Sequence, residues 1–277
     1  MSNISIIINA DDLGYDNIVN NEISRFAEKR LISSTSLMAN GDDFGGAKRV
    51  IKNHPTLSVG AHLNLTEFKS LSQPEVFLRK GIVDENFIFN GRLKYRTEND
   101  FTFDSELLEA IYIELRLQME KILDNSINIT NIDSHNMIHY WMKLFPVIKK
   151  IQNDFNISIV RMKDVKPISF YGLFNSSLKK KTPPLVKELC NLYWNTKMKI
   201  TLPKTTLVNH VFSYRSLCNY LSTGSKCPRN GIFEVLVHPG CTYMTYFAEE
   251  NAMVEQEKLK SLIPDYNFIN FNHIVSK

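Results

Sequence analysis

Cysteine is scarce: four in 277 residues, Cys190, Cys218, Cys227 and Cys241, without a CxxC pair or regular spacing. The pattern suggests neither a paired-cysteine zinc site nor a disulfide framework, so a reducing compartment is expected. No stretch approaches the roughly 18–20 uninterrupted apolar residues of a membrane-spanning helix. The opening residues, Met1-Ser2-Asn3-Ile4-Ser5-Ile6-Ile7-Ile8, carry neither a basic leader nor a small-residue cleavage site. The expectation is a cytoplasmic protein with no signal peptide and no membrane partner. Charge of one sign is lacking too: 33 Lys plus Arg stand against 29 Asp plus Glu, a net +4. That is too small an excess to point to nucleic acid or another polyanion. There is no internal repeat and no low-complexity tract.

What is present is a globular composition, 43% hydrophobic and 22% charged. A prior of ~150 residues per domain allows one or two units, but α/β barrels near this length are single units. Ile4 to Ile8 is apolar and β-branched at nearly every position, as in a buried parallel strand, with Asp11-Asp12-Leu13-Gly14 in the loop that follows. Asp16 is a candidate N-cap for a helix carrying Val19, Ile23, Phe26 and Ala27 at helical spacing up to Arg30. The alternation repeats with a strand near Ser34 to Ala39, a helix near Gly45 to Asn53, a break at His54-Pro55 and a strand near Leu57 to Ala61. Later strand candidates are Ile127 to Ile132, Ile157 to Val160, Val208 to Phe212, Ile232 to Val237 and Phe268 to Phe271, for about eight in all. Asp104 to Leu123 reads as a helix with one apolar face.

Two stretches break this rhythm. Residues 66–103 read as an irregular insertion after the third strand. Residues 161–204 hold ten basic and two acidic residues, with Pro167, Pro183, Pro184 and Pro203 interrupting regular structure. This basic segment is either a solvated surface loop or an anion-recognition surface in which Tyr193 and Trp194 stack on a sugar or base.

Ionisable residues recur at one kind of place. Asp11-Asp12 follow the first strand, His62 the third and Asp133-Ser134-His135 the fourth, while His238 follows Ile232 to Val237 and Arg161 follows Ile157 to Val160. In a parallel barrel the C-terminal strand ends converge on one face, so residues far apart in sequence can meet in one site. Two neutral imidazoles and a carboxylate suit a divalent metal with positions left open for water and substrate. His62, His135 and one aspartate could supply that set, leaving the other aspartate free to take a proton. The alternatives are structural or surface roles for each histidine, the reading given to His54, His210 and His273, and a turn or helix-capping role for the aspartate pair.

The motifs Asn9-Ala10-Asp11-Asp12-Leu13-Gly14, Gly60-Ala61-His62-Leu63-Asn64-Leu65-Thr66, Asp133-Ser134-His135 and Glu234-Val235-Leu236-Val237-His238-Pro239-Gly240 together resemble the YdjC-like (ChbG-type) carbohydrate deacetylases, over nearly the whole chain. The resemblance implies a distorted TIM-like (β/α) barrel as a single domain. It implies a divalent metal, magnesium in that family with zinc or another divalent ion as alternatives, and removal of an N-acetyl group from chitooligosaccharides or related amino sugars. By position it implies Asp12, His62 and His135 as metal ligands, Asp11 as base and His238 as acid. Arg161, His139 and Asn64 are the expected substrate contacts, with helix capping as the alternative for His139. Asp133 is expected to orient a ligating imidazole from behind, and a homodimer is implied as well.

The chain departs from the family pattern twice. Met137 stands between His135 and His139 where a third histidine is common, and no arginine is evident around Val254 to Leu262. Two rival readings remain: a metal-dependent phosphoesterase whose basic segment attracts an anion, and a carbohydrate-binding homologue that has lost catalysis.

Overall fold

The computed structural model describes residues 3–95, 102–162, 184–201, 208–222, 230–241 and 245–275. Strands and helices alternate: β1 (Asn3–Leu13), α1 (Asn17–Glu28), β2 (Ser34–Leu37), α2 (Phe44–Asn53), β3 (Ser58–Leu63), α3 (Glu75–Arg79), α4 (Arg92–Tyr95), α5 (Ser105–Asp124) and β4 (Ile132–Ser134). Two 3-10 turns, His135–Tyr140 and Met142–Leu144, lead into α6 (Phe145–Asp154). The remainder comprises α7 (Pro184–Thr201), β5 (His210–Ser213), α8 (Tyr214–Ser222), β6 (Asn230–Val237), α9 (Thr245–Glu255), α10 (Lys258–Leu262), β7 (Asn267–Phe268) and α11 (Asn272–Val275). Aspartates cap three of the helices: Asp16, as expected, accepts from the Val19 amide, and Asp43 accepts from Gly46 and Asp104 from Leu107, each satisfying one otherwise orphaned N–H.

Among the described residues seven strands form one sheet in the order β4-β3-β2-β1-β6-β5, with β7 also against β1. Every strand pairing is parallel. The sheet curls into a half-barrel, the distorted TIM-like architecture in one domain.

Period-two alternation divides β1 between two cores. Ile4, Ile6, Ile8 and Ala10 join the large cluster formed with the helices, including Val19, Ile23 and Phe26 of α1 and Leu107, Ile111 and Leu115 of α5. Ile7 belongs to a second cluster with Ile159, Val211, Leu236 and the C-terminal Phe271 and Ile274. This smaller core gathers the opposite side chains of several strands, and the polar residues Asn9 and Asp11 continue the same face of β1 toward its C-terminal end.

Several sequence expectations need correction. β4 is confined to Ile132–Ser134, and the preceding Ile127 and Ile129 are buried as irregular chain. Ile157 to Val160 contributes only the parallel bridge Ile132↔Val160. Within the expected insertion, residues 66–95 hold α3 and α4 and the antiparallel bridges Lys69↔Ile88 and Val83↔Phe89, while residues 96–101 lie outside the described residues. Of the basic segment, 163–183 and 202–204 also lie outside them. Pro184–Thr201 is a helix rather than irregular chain, because proline at a helix start removes only an N–H that has no partner there. Trp194 is fully buried, edge-on to Tyr140 and Phe145, so it presents no free face to a sugar or base. No helix among the described residues is long and apolar enough to cross a membrane.

Candidate active site

Asp11 and Asp12 lie inside β1 rather than in a loop after it. The register of β1 against β2 shifts between Ala10 and Leu13: three steps on β1 match the two from Thr35 to Leu37. This is a bulge, with Asp12 in the left-handed region at φ 71°. In a regular strand adjacent side chains point to opposite faces; the bulge turns both carboxylates into one cavity. Gly14 closes the motif at φ +94°, where an added Cβ would stand 2.9 Å from the Met38 carbonyl oxygen.

His62 is the penultimate residue of β3 and His135 opens the turn after β4, so parallel pairing of these strands, with His62 beside Asp133, brings the two rings to 5.6 Å between centroids. Asp12 Oδ1 lies 3.1 Å from His62 Nε2 and 2.7 Å from His135 Nδ1. One ligand atom from each of these three buried residues falls within 4.8 Å of the others. Behind them, His62 Nδ1 donates to Asp133 Oδ1 at 2.6 Å, and His135 Nε2 faces Glu67 Oε1 at 3.5 Å.

With the His62 proton on Nδ1, its Nε2 presents a lone pair to the Asp12 carboxylate. Two electron-rich atoms held 3.1 Å apart require a proton or a cation between them. The N,N,O donor set, its burial and the carboxylates behind the rings therefore fit a divalent cation.

Residues 5–265 match the family described as YdjC-like protein. The chain belongs to the YdjC-like family. A carbohydrate deacetylase of Brevibacillus brevis is 31% identical over 156 residues, 56% of this chain and 58% of that relative. One of Clostridium beijerinckii is 34% identical over 160 residues, 58% of this chain and 61% of that protein. The matched stretch thus spans about six-tenths of the length of these curated relatives. A crystal structure from Enterococcus faecalis V583, of a candidate cellobiose-phosphate cleavage protein, superposes with a TM-score of 0.69 over 99% of both chains at 21% identity, which establishes the shared fold.

At the centre of this YdjC-like site is Arg161. Its guanidinium grips both oxygens of Asp11, bonds Glu234 Oε1 through Nε at 2.7 Å and reaches Asp133 Oδ2 at 2.6 Å. Burial alone would raise the Asp11 pKa, but Arg161, with His62 and His238, pulls it down to about 2. Burial likewise opposes the charge on His62, yet Asp133 and the two strand-end aspartates lift that group to about 10. Burial prevails at Glu234, which is pushed up to about 7 despite Arg161.

The site opens on a cavity of about 500 Å³, with Asp11, Asp12, His62, His135 and His238 in its wall. His238 Nε2 stands 3.9 Å from Asp11 Oδ2.

Seven of the nine expected site residues therefore converge, while the three expected substrate contacts are buried and engaged by the protein itself. Arg161 is 2% exposed and engaged by three carboxylates. His139 is fully buried, its Nδ1 accepting from Ser134 Oγ at 2.5 Å and its Nε2 donating to the Arg161 carbonyl at 3.2 Å. Asn64 is also fully buried and organises its own loop, accepting from the Thr66 amide and donating to the Glu67 carbonyl.

Sequence reasoning missed Glu234, Glu250 and Glu67. Glu234, Leu236 and His238 follow one another at intervals of two, so strand periodicity would have placed Glu234 on the site's face. Glu67 sits three residues beyond Asn64, and its Oε2 accepts from Tyr15 Oη at 2.9 Å. Glu250 has no comparable signal.

Proposed function

We propose that this chain hydrolyses the N-acetyl amide of an amino sugar or chitooligosaccharide-like substrate. The observation that carries this reading is that a buried Asp12–His62–His135 donor set and the Asp11–His238 pair line one cavity. Similarity to proteins named carbohydrate deacetylase supports the substrate class. The wall mixes apolar Leu236 and Phe247 with polar Ser213 and Tyr246, a combination suited to the faces and hydroxyls of a sugar.

Asp12, His62 and His135 would hold the divalent cation. When bound, it supplies Lewis acidity to the acetamide carbonyl and acidifies water. Magnesium is the ion the family resemblance implies, whereas two imidazole donors suit transition ions such as zinc equally well or better.

Asp11 accepts the proton of the attacking water. Arg161 keeps its carboxylate ionised and fixed. The new bond joins the water oxygen to the acetyl carbon, and the carbon–nitrogen bond then breaks. Because an amine anion is a poor leaving group, His238 donates a proton to the nitrogen as it departs. Burial opposes the His238 cation, but Glu250, Asp11 and Asp12 outweigh it and raise its pKa, which favours the protonated form this role needs. The products are acetate and the free amino sugar; the proton on Asp11 returns to solvent and His238 is recharged from it.

The test is acetate release from N-acetylated glucosamine oligomers by protein as prepared, after chelation and after return of Mg²⁺, Zn²⁺ or Mn²⁺. Loss on chelation and recovery on return is the expected result. Undetectable acetate with every ion, or release indifferent to chelation, overturns the reading. Phosphate release from phosphorylated sugars under the same conditions would favour phosphoester hydrolysis instead.

A further inference from the structure

Three residues of α9 contact His238. Phe247 packs its ring against the imidazole, with centroids 4.4 Å apart and planes inclined by 39°. Asn251 Nδ2 donates to the His238 carbonyl at 3.1 Å. Between them in sequence, Glu250 places Oε2 3.6 Å from His238 Nδ1.

Both Oε2 and Nδ1 are shielded from solvent, and among the described residues neither has a hydrogen bond to another atom. A buried carboxylate oxygen and a buried ring nitrogen without other partners are costly unless they serve one another. The other Glu250 oxygen is anchored, accepting from the Arg215 amide at 3.2 Å, so the carboxylate is held from behind. The Arg215 guanidinium is engaged with Glu249 instead. Among the described residues the charged groups within ion-pair reach of the imidazole are thus Glu250 at Nδ1 and Asp11 at Nε2, with Asp12 acting on it electrostatically as well.

We infer that Glu250 is the positioning residue for His238, holding a proton on Nδ1 so that Nε2, the nitrogen turned to the cavity, carries the proton delivered to the departing amine. This rests on the deacetylase reading for its chemistry. Its structural content, an Nδ1–H···Oε2 pairing across β6 and α9, does not depend on it.

The geometry also decides which nitrogen can act. A neutral ring with its single proton on Nδ1 would present a lone pair at Nε2 and could not donate there. Glu250 therefore serves proton donation only by supporting the doubly protonated ring, with one N–H spent on the carboxylate and the other facing Asp11 and the substrate nitrogen.

Glu250→Gln tests this in the metal-loaded protein, because the amide oxygen can still accept from the Arg215 amide while the charge at Nδ1 is lost. We expect kcat for acetate release to fall about 10- to 100-fold, within the range of acid catalysis, with KM and the melting temperature little changed. The ¹⁵N spectrum of His238 should show both ring nitrogens protonated at neutral pH in the parent and loss of that state in the variant.

Unchanged kcat, or a fall matched by loss of the folded state at assay temperature, overturns the positioning role. So does an imidazole spectrum that does not respond to the substitution. His238→Ala separates the two readings. If it is inactive while Glu250→Gln is fully active, only the positioning inference fails. If it is as active as the parent, the acid assignment fails. The spectrum still tests the pairing in a protein that releases no acetate.

Discussion

Arg161 holds Asp11 by both carboxylate oxygens, Nη1 to Oδ2 at 2.9 Å and Nη2 to Oδ1 at 2.8 Å. The pair joins residues 150 positions apart inside the curled sheet. The same guanidinium also meets Asp133 and Glu234, so one cation organises three carboxylates in a buried space.

Arg161→Met should therefore be among the most damaging single changes in the chain. It removes the only guanidinium bonded to Asp11 among the described residues and leaves buried carboxylates to repel one another. Breaking a buried ion pair from one side typically costs about 3–5 kcal/mol. Urea denaturation at neutral pH should show a loss of that size. Arg161→Lys should recover part of it, since an ammonium retains the charge but cannot form the two-pronged contact. A variant as stable as the parent would show that the network carries no net stabilisation.

The architecture was legible because its signals are local and repeated. The apolar β-branched run at Ile4 to Ile8 and the aspartate cap at Asp16 each act within a few residues. Ionisable groups at successive strand ends announced a shared site once parallel pairing was assumed. What escaped depends on through-space chemistry. Nothing near Arg161 in sequence reveals that its charge is already spoken for by Asp11, Asp133 and Glu234. The bulge at Asp12 is also silent, since left-handed backbone at an aspartate is stabilised by strand pairing and site contacts rather than by a local glycine. Trp194 looked available as an aromatic in a basic stretch, yet α7 turns that ring into the core.

Glu234 sets a pH dependence of stability. Its pKa rises on folding from an ordinary value of 4.5 to about 7, so the folded protein holds this proton more tightly than the unfolded chain does. The stabilisation tied to that proton is complete below pH 4.5 and disappears as pH climbs to about 7. Asp11 behaves oppositely: its pKa falls from 3.8 to about 2, and its contribution is present above 3.8 and lost as pH drops through about 2. Glu234→Gln should keep an oxygen for Arg161 Nε while removing the first of these dependences. Urea midpoints measured from pH 4 to 8, with metal content held fixed, should decline less steeply for Glu234→Gln than for the parent between about pH 4.5 and 7. Parallel curves would show that Glu234 does not titrate in this window.

The turn after β4 stores backbone strain beside the candidate metal ligands. Asn136 and Met137 occupy the left-handed region in succession, at φ 54° and 56°, a conformation that costs a residue bearing a Cβ about 1 kcal/mol. Asn136 is tied down by its side-chain bond to Thr66 Oγ1, whereas the Met137 side chain is 52% exposed at the cavity wall. Met137→Gly should relieve the strain without opening a buried hole. Part of the gain is offset by the greater freedom of glycine in the unfolded chain. The melting temperature should rise by about 2–4 °C if the net gain approaches 1 kcal/mol. Met137→Ala keeps the Cβ and loses the same exposed thioether, so it should show no such rise. Equal melting temperatures for the two variants would assign the effect to the missing side chain and leave the strained turn without a measurable cost.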